Sequence, residues 1–225
     1  MEEGLLKLFA DYLDETDDLD QEQKELLMLL GAHAKGCIPF FYDCFRCMDH
    51  RMEQAETEDG KLSFRMEGEC RLIFEEQELI LKEEQARELL AKMIDLFEPV
   101  YPLGTVVELS EEFTKSLGLE KIQEKIKVVI TGRFAAAHDK KTYFPYAGVV
   151  YPTGVLKKDQ FIHFTSALID SVVQEGYRDE AEEAYVLLMK KELLLEQEAV
   201  SFGFLGKEKA AEYAKEVMQH GKEKA

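Results

Sequence analysis

Residues 146–154 read YAGVVYPTG, and a second apolar run, VVITGR, occupies residues 128–133. Both runs combine β-branched or aromatic residues with Gly and Pro, a pattern typical of short strands joined by tight turns. The pattern extends over residues 101–177, with strands predicted at 106–109, 127–131, 143–150, 160–164 and near 171–175. We therefore predict a small antiparallel β-sheet, strongly bent or barrel-like, in the middle of the chain.

The first 98 residues switch between helical and strand periods. Apolar residues recur at helical spacing in residues 4–13, 26–37, 41–55 and 83–97. Asp18 with Gln21 is predicted to form a capping box, and Pro39 suits the first turn of a new helix. Residues 62–81 instead alternate apolar and polar side chains, which predicts a three-stranded meander with one buried face.

The predicted fold class is α+β, in three parts. Residues 1–98 form an acidic, mainly helical unit with a small antiparallel meander, and Glu98-Pro99 marks its boundary. Residues 99–177 form the small β module, with a short helix inserted in 110–123, and residues 178–225 form a C-terminal helical arm. The arm is predicted as a long helix to about residue 200 and a second helix over 207–220.

The charge is concentrated at the front of the chain. The whole sequence has a formal net charge of -18. Residues 1–98 hold 26 acidic and 11 basic residues, a net charge of -15, whereas residues 99–177 are neutral with nine of each. This balance argues against binding to nucleic acid or to an anionic membrane surface, because both need Lys and Arg patches. It places an electrostatic partner surface in the front unit.

We expect a cytoplasmic protein with reduced cysteines. The sequence starts with acidic residues rather than a secretory signal, and no apolar run is long enough to span a membrane. Cys44, Cys47 and His50 have zinc-like spacing, but on one helix they would point to different faces, so we expect no metal. With neither a phosphate loop nor a catalytic constellation visible, we expect no cofactor and no enzymatic activity.

Candidate partner-binding residues lie in three places. The first is the predicted arm, where apolar side chains occupy more than one face of the helix: Leu187, Leu193, Leu194 and Leu195. One face can pack on the β module, and either the helix over 207–220 or a partner would cover the other apolar faces. Arg133 begins a charged loop of the β module. Asp17 and Asp18 belong to the acidic linker between the first two helices.

The middle third of the chain, about Tyr101 to Glu183, resembles a domain-of-unknown-function family (four-one-seven-six) of Gram-positive bacteria. The resemblance rests on a Pro-x-Gly-Thr-Val-Val opening, a strand ending in Gly-Arg, a Tyr-x-Gly-x-x-Tyr-Pro-x-Gly segment and a closing Glu-Gly-Tyr. The residues that we interpret as its scaffold are Pro102, Gly104, Gly132, Tyr146, Gly148, Pro152, Gly154, Gly176 and Tyr177, with Tyr146 and Tyr177 filling a small core. The motif includes no catalytic residues.

Genes of this family are often found beside LXG toxins in type VII secretion loci. The resemblance therefore implies a targeting chaperone or adaptor. Its partners would be an LXG-domain toxin, the toxin's small helical partner proteins, or the secretion ATPase. The alternative is an immunity protein that neutralises a toxin domain, and an enzyme acting on a small molecule has the least support. Because the shared motif is interpreted as scaffold, we expect recognition of one cargo to lie in the front unit and the arm.

Overall fold

The computed structural model describes residues 1–116, 125–136, 141–155 and 161–205. The chain divides into two compact units, and the first of them is discontinuous in sequence. It comprises Met1–Pro99 and Glu183–Glu198, and the second comprises Val100–Glu182 and the described residues from Ala199 onward. The predicted α+β class is confirmed. Within the described residues, no helix is both long and apolar enough to cross a membrane.

Four helices precede or flank the sheet of the first unit. They are α1 (Glu2–Glu15), α2 (Gln21–His33), α3 (Ile38–Met48) and α4 (Glu83–Phe97), and a 3₁₀ turn over Ala34–Cys37 joins α2 to α3. The N-terminus of α2 differs from the prediction. The capping box is formed by Asp20 and Gln23, with the Gln23 amide donating to Asp20 Oδ1 at 2.9 Å, because the helix begins two residues later than the Asp18 pattern suggested.

Helix α3 begins as predicted and ends early. Pro39 lies in its first turn, where a missing amide costs no hydrogen bond. The apolar repeat that predicted helix as far as Ala55 was wrong beyond Met48. His50 adopts a φ of 56°, which ends the helix, and Gln54–Glu56 forms strand β1, in which Ala55 is buried opposite Phe64.

The first unit therefore holds a four-stranded antiparallel sheet rather than a three-stranded meander. Its strands lie in the order β1, β2 (Leu62–Met66), β3 (Cys70–Phe74) and β4 (Gln77–Leu81). The predicted alternation is confirmed, because one face carries the buried side chains and the other remains partly exposed. The buried set is Ala55, Leu62, Phe64, Cys70, Leu72, Phe74, Leu79 and Leu81.

Residues 183–198 return to the first unit and complete its core. Helix α6 (Glu180–Lys191) runs into a π-helical turn at Glu192–Glu196, so the helix predicted to residue 200 ends sooner. The buried Lys190 Nζ donates to the backbone oxygens of Leu96 at 2.6 Å and Glu98 at 2.8 Å, at the C-terminal end of α4. A cation suits this position, because the last carbonyls of a helix carry partial negative charge.

The second unit is built on an open six-stranded sheet. Its strands are β5 (Val106–Leu109), β6 (Lys127–Ala136), β7 (Thr142–Val150), β8 (Ile162–Phe164), β9 (Ile169–Gln174) and β10 (Val200–Ser201). The order is β10-β7-β6-β5-β9, and β8 pairs with β7. The pairs are antiparallel except for β10 with β7, which are parallel. The inserted helix is confirmed as α5 (Glu111–Ser116), whereas the helix predicted over 207–220 lies outside the described residues.

Two glycines of the second unit lie so close to backbone oxygens that no side chain fits at their positions. A Cβ atom at Gly176 would lie 2.1 Å from the backbone oxygen of Leu103, and one at Gly148 would lie 2.5 Å from that of Val129. Backbone atoms cannot move aside as a flexible side chain can. Gly132 differs, because a Cβ there would make only an ordinary contact with Ala147 at 3.4 Å.

We expect Gly176→Ala to lower the free energy of unfolding of the second unit by about 2–3 kcal/mol, as forced overpacking does. Gly132→Ala in the same unit is the matched control and should change it by less than about 1 kcal/mol. Urea unfolding followed by hydrogen exchange at β5 and β6 measures both. Equal effects of the two substitutions would contradict the close approach at Gly176.

Candidate docking site on the first unit

The largest of three hollows in the first unit, about 640 Å³, lies between the start of α3 and two turns of the sheet. Its apolar lining comprises Cys37, Pro39, Phe40, Leu62 and Phe74. Its acidic lining comprises Asp43, Glu56, Glu58, Asp59 and Glu75, against the single lysine Lys61. The site therefore combines an apolar floor with a negatively charged rim.

Local hydrogen bonds fix the β1–β2 turn that forms one wall. The Thr57 hydroxyl donates to Asp59 Oδ1 at 2.8 Å, and the Leu62 amide donates to Thr57 Oγ1 at 3.1 Å. The Gly60 amide donates to the backbone oxygen of Thr57 at 2.9 Å. The hydrogen bond from Thr57 and a second one from the backbone amide of Lys61 lower the pKa of the exposed Asp59 carboxyl. Asp59 therefore stays charged at neutral pH.

The β3–β4 turn and the end of α2 form the opposite side. Glu75 adopts a φ of 55°, and its amide donates to the backbone oxygen of Lys61 at 2.7 Å, which ties this turn to the β1–β2 turn. The His33 ring lies 5.8 Å from that of Phe74 between centroids, and His33 Nδ1 lies 3.0 Å from the backbone oxygen of Leu29. These contacts hold the rim at fixed positions.

Two smaller hollows lie on the same unit. One lies between α1 and α2 and is lined by Ala10, Leu13, Asp14, Gln21, Lys24, Glu25, Met28 and Leu29. The other is lined by Leu29, Phe74, Glu75, Glu76 and Gln77. It shares Leu29 with the α1–α2 hollow and shares Phe74 and Glu75 with the largest hollow. We call the three together the acidic trough.

Within the described residues, no group of three or more His, Cys, Asp or Glu side chains is arranged to hold a metal ion. The predicted Cys44, Cys47 and His50 set does not lie on one helix, because α3 ends at Met48. Cys44 and Cys47 are buried core residues, whereas His50 is exposed. Cys37, which lines the trough, has its pKa raised by burial, so its thiolate form is disfavoured at neutral pH.

The four cysteines are free thiols in the structure and differ in exposure. Cys37 is half-buried, whereas Cys44, Cys47 and Cys70 are at most 1% exposed. Burial also raises the pKa of Cys70 to about 11. We expect a thiol reagent to label Cys37 alone in the folded protein and the other three only after unfolding, measured by mass spectrometry of labelled peptides. Fast labelling of Cys44 in the folded state would contradict this order.

The predicted arm leucines occupy different environments. Leu193 and Leu194 are 4% and 2% exposed, so a partner could not reach them while the first unit is folded. Leu187 and Leu195 are half-buried, and Leu187 packs against Gly4. Leu188, which we did not single out as a candidate, is 59% exposed.

The charged candidates are also separated. Arg133 and Glu182 form a bidentate ion pair in the second unit, with side chains only 4% and 12% exposed. Asp17 and Asp18 are exposed in the turn between α1 and α2, on the unit that carries the trough. Leu29, Phe40, Phe74 and Glu75 were missed as site residues. The acidity of residues 1–98 pointed to the correct unit, but no local motif marks these positions.

The scaffold residues of the middle segment have identifiable structural roles. The buried Tyr146 hydroxyl accepts from the Tyr101 amide at 3.1 Å, and Gly132 lies at a register shift between β6 and β7. Pro102 is buried, whereas Pro152 is exposed and follows a cis peptide bond. Gly104 and Gly154 have positive φ angles. Tyr177 corrects our expectation, because its side chain is 80% exposed and fills no core.

Comparison with known proteins agrees with the sequence resemblance. A family model described as a domain of unknown function (DUF4176) matches residues 100–185. No curated protein and no solved structure matches the chain. The acidic trough is built entirely from residues before Pro99 and so lies outside the matched segment. Residues 100–185, which span most of the described sheet of the second unit, are therefore identified with the DUF4176 family of domains of unknown function.

Proposed function

We propose that this protein is a non-catalytic cytoplasmic adaptor that binds an LXG toxin of a type VII secretion locus and targets it for export. The observation that carries the proposal is the acidic trough, an apolar surface with a charged rim on the unit outside the family match. Such a surface suits binding of a protein segment, with apolar contacts supplying affinity and charge supplying orientation.

The division of roles follows from the two units. The second unit carries the family motif. Two glycines of that motif, Gly148 and Gly176, lie too close to neighbouring backbone atoms to carry a side chain, so we assign this unit the role of a scaffold common to the family. The first unit carries the trough and most of the net negative charge, so it recognises the individual cargo. The family resemblance supplies the identity of that cargo as an LXG toxin or one of its small helical partners. The secretion ATPase would receive the assembled complex.

Co-purification tests the proposal directly. The N-terminal LXG region and the C-terminal toxic domain of a toxin from the same locus are expressed separately, each with the full-length protein. We expect the LXG half to co-purify and the toxic domain not to. Co-purification of the toxic domain alone, with loss of its toxicity, would replace the adaptor by an immunity protein.

Charge-reversal variants are better suited to this test than deletion of residues 1–98. Val186, Leu193 and Leu194 are buried in the first unit, so that deletion would expose them to solvent. The exposed apolar surface would then bind proteins nonspecifically. Glu58→Lys with Glu76→Lys changes two exposed rim positions. Glu69→Lys with Glu84→Lys changes the net charge equally at exposed positions outside the trough. Only the rim pair should weaken retention of the LXG half.

A further inference from the structure

We infer that the acidic trough takes a single cationic amphipathic helix of about four turns. This inference rests on the proposed adaptor function and specifies the chemistry of the cargo segment. The third hollow shares Leu29 with the α1–α2 hollow and shares Phe74 and Glu75 with the largest hollow, so an occupant that spans the third hollow can contact all three. The trough follows α2 from Gln21, which lines the α1–α2 hollow, to His33, which lines the largest hollow.

The length of the trough matches a helix of moderate size. Helix α2 has 13 residues, which at 1.5 Å per residue corresponds to about 20 Å. Accessible apolar side chains lie toward both ends of this length, Met28 and Leu29 at one end and Cys37 and Pro39 at the other. Phe40 and Phe74 are only 4% and 8% exposed and form part of the floor. An amphipathic helix presents apolar side chains at i, i+3, i+4 and i+7 along one face, which fits a row of separate apolar contacts.

The composition of the walls favours a helix over an extended strand. Most of the described lining comes from helix side chains, the 3₁₀ turn and the two sheet turns, and each edge strand contributes one terminal residue, Glu56 from β1 and Gln77 from β4. An added strand needs a ladder of open backbone groups, whereas a helix satisfies its own backbone hydrogen bonds. Side chains alone can therefore recognise a helix here.

The charge of the trough favours a cationic occupant. Eight acidic residues line the three hollows, against two lysines, Lys24 and Lys61. The acids are Asp14, Glu25, Asp43, Glu56, Glu58, Asp59, Glu75 and Glu76. Among the ion pairs of the described residues, only Asp43 of this set takes part, with Arg46. The other seven carboxylates have no basic partner among those ion pairs, so Lys or Arg residues flanking the apolar face of a bound helix can pair with them.

A synthetic leucine–lysine peptide of about 14 residues, patterned with one apolar face, is the probe. Two control peptides have the same length: one has the same composition scrambled to remove the apolar face, and the other has Glu in place of Lys. Fluorescence anisotropy measures binding to the full-length protein at low and high ionic strength. We expect only the cationic amphipathic peptide to bind, with affinity that falls as salt screens the rim.

Leu29→Arg is the decisive variant, because Leu29 is 54% exposed and joins two of the hollows. We expect it to weaken peptide binding by at least about tenfold, since it removes an apolar contact and adds a like charge. Leu188→Arg is the matched control, as this leucine is 59% exposed on the same unit outside the trough. Circular dichroism confirms that both variants fold.

Three results would overturn the inference: no binding of the cationic peptide, equal binding of the scrambled peptide, or equal loss with Leu29→Arg and Leu188→Arg. Equal binding of the scrambled peptide would indicate an extended occupant. The toxin experiment remains separate. Co-purification of the LXG half with no peptide binding would refute the helical occupant and keep the adaptor function, and the reverse pair of results would refute the adaptor function alone.

Discussion

Glu182→Gln is expected to lower the free energy of unfolding of the second unit by about 3–5 kcal/mol, because it removes the carboxylate from a buried ion pair. The Glu182 carboxylate faces both terminal nitrogens of Arg133, and the pair joins β6 to the first turn of α6. The amide that replaces the carboxylate keeps its size and loses its charge. Hydrogen exchange at β6 and β7 during urea unfolding reports the change.

Two further variants separate a buried pair from an ordinary surface pair. Glu175→Gln removes a carboxylate that is 55% exposed and pairs with Arg178, so it should cost less than about 1 kcal/mol. The double variant Arg133→Met with Glu182→Leu removes both charges and should recover most of the stability lost by Glu182→Gln. A Glu182→Gln effect no larger than that of Glu175→Gln would contradict burial of the pair.

The buried Lys190 is expected to make the first unit more stable as pH rises above 8. Burial lowers the pKa of this ammonium to about 8, against 10.5 for an ordinary lysine, although Asp95 and Glu98 favour the charged form. Between these values the unfolded chain binds more protons than the folded chain, so the free energy of unfolding rises with pH. Across the whole window the gain approaches about 3 kcal/mol. Neutral Lys190 can still donate to the backbone oxygens of Leu96 and Glu98.

The measurement compares wild type with Lys190→Met at several pH values between 7 and about 10. Other groups titrate in this range, so the difference between the two proteins isolates Lys190. The stability of wild type relative to the variant should increase with pH. Lys191→Met is the control for loss of a lysine, because the neighbouring side chain is 52% exposed and its removal should change the free energy of unfolding by less than about 1 kcal/mol. A flat difference for Lys190→Met would contradict its burial as a charged group.

Strong local patterns predicted much of the fold. Strict alternation over residues 62–81 located three strands, and Pro39 located the start of α3. The errors arose where one pattern suits two structures. Ala55 continued a helical repeat by chance, and only the positive φ at His50 and the pairing with Phe64 determine that it lies in a strand. Strand β10 has two residues, too few to produce a period.

The candidate site was predictable only as a region. Net charge indicated the first unit, but the trough is assembled from α1, α2, α3 and two turns that are distant in sequence. The leucines of the arm were likewise predicted to be covered without the sequence showing by what. A helix with apolar residues on several faces predicts that something covers them, but sequence alone does not distinguish a partner from the chain's own first unit, which buries Leu193 and Leu194.

The discontinuity of the first unit has a consequence for biosynthesis. Its core includes Val186, Lys190 and Leu193, so the core is complete only after the ribosome has passed residue 198. At about 5–20 residues per second, the segment between the two parts takes several seconds to translate. During that interval the incomplete first unit exposes apolar surface while the family domain is being made. During synthesis, a binding protein can therefore reach apolar surface that the finished protein hides.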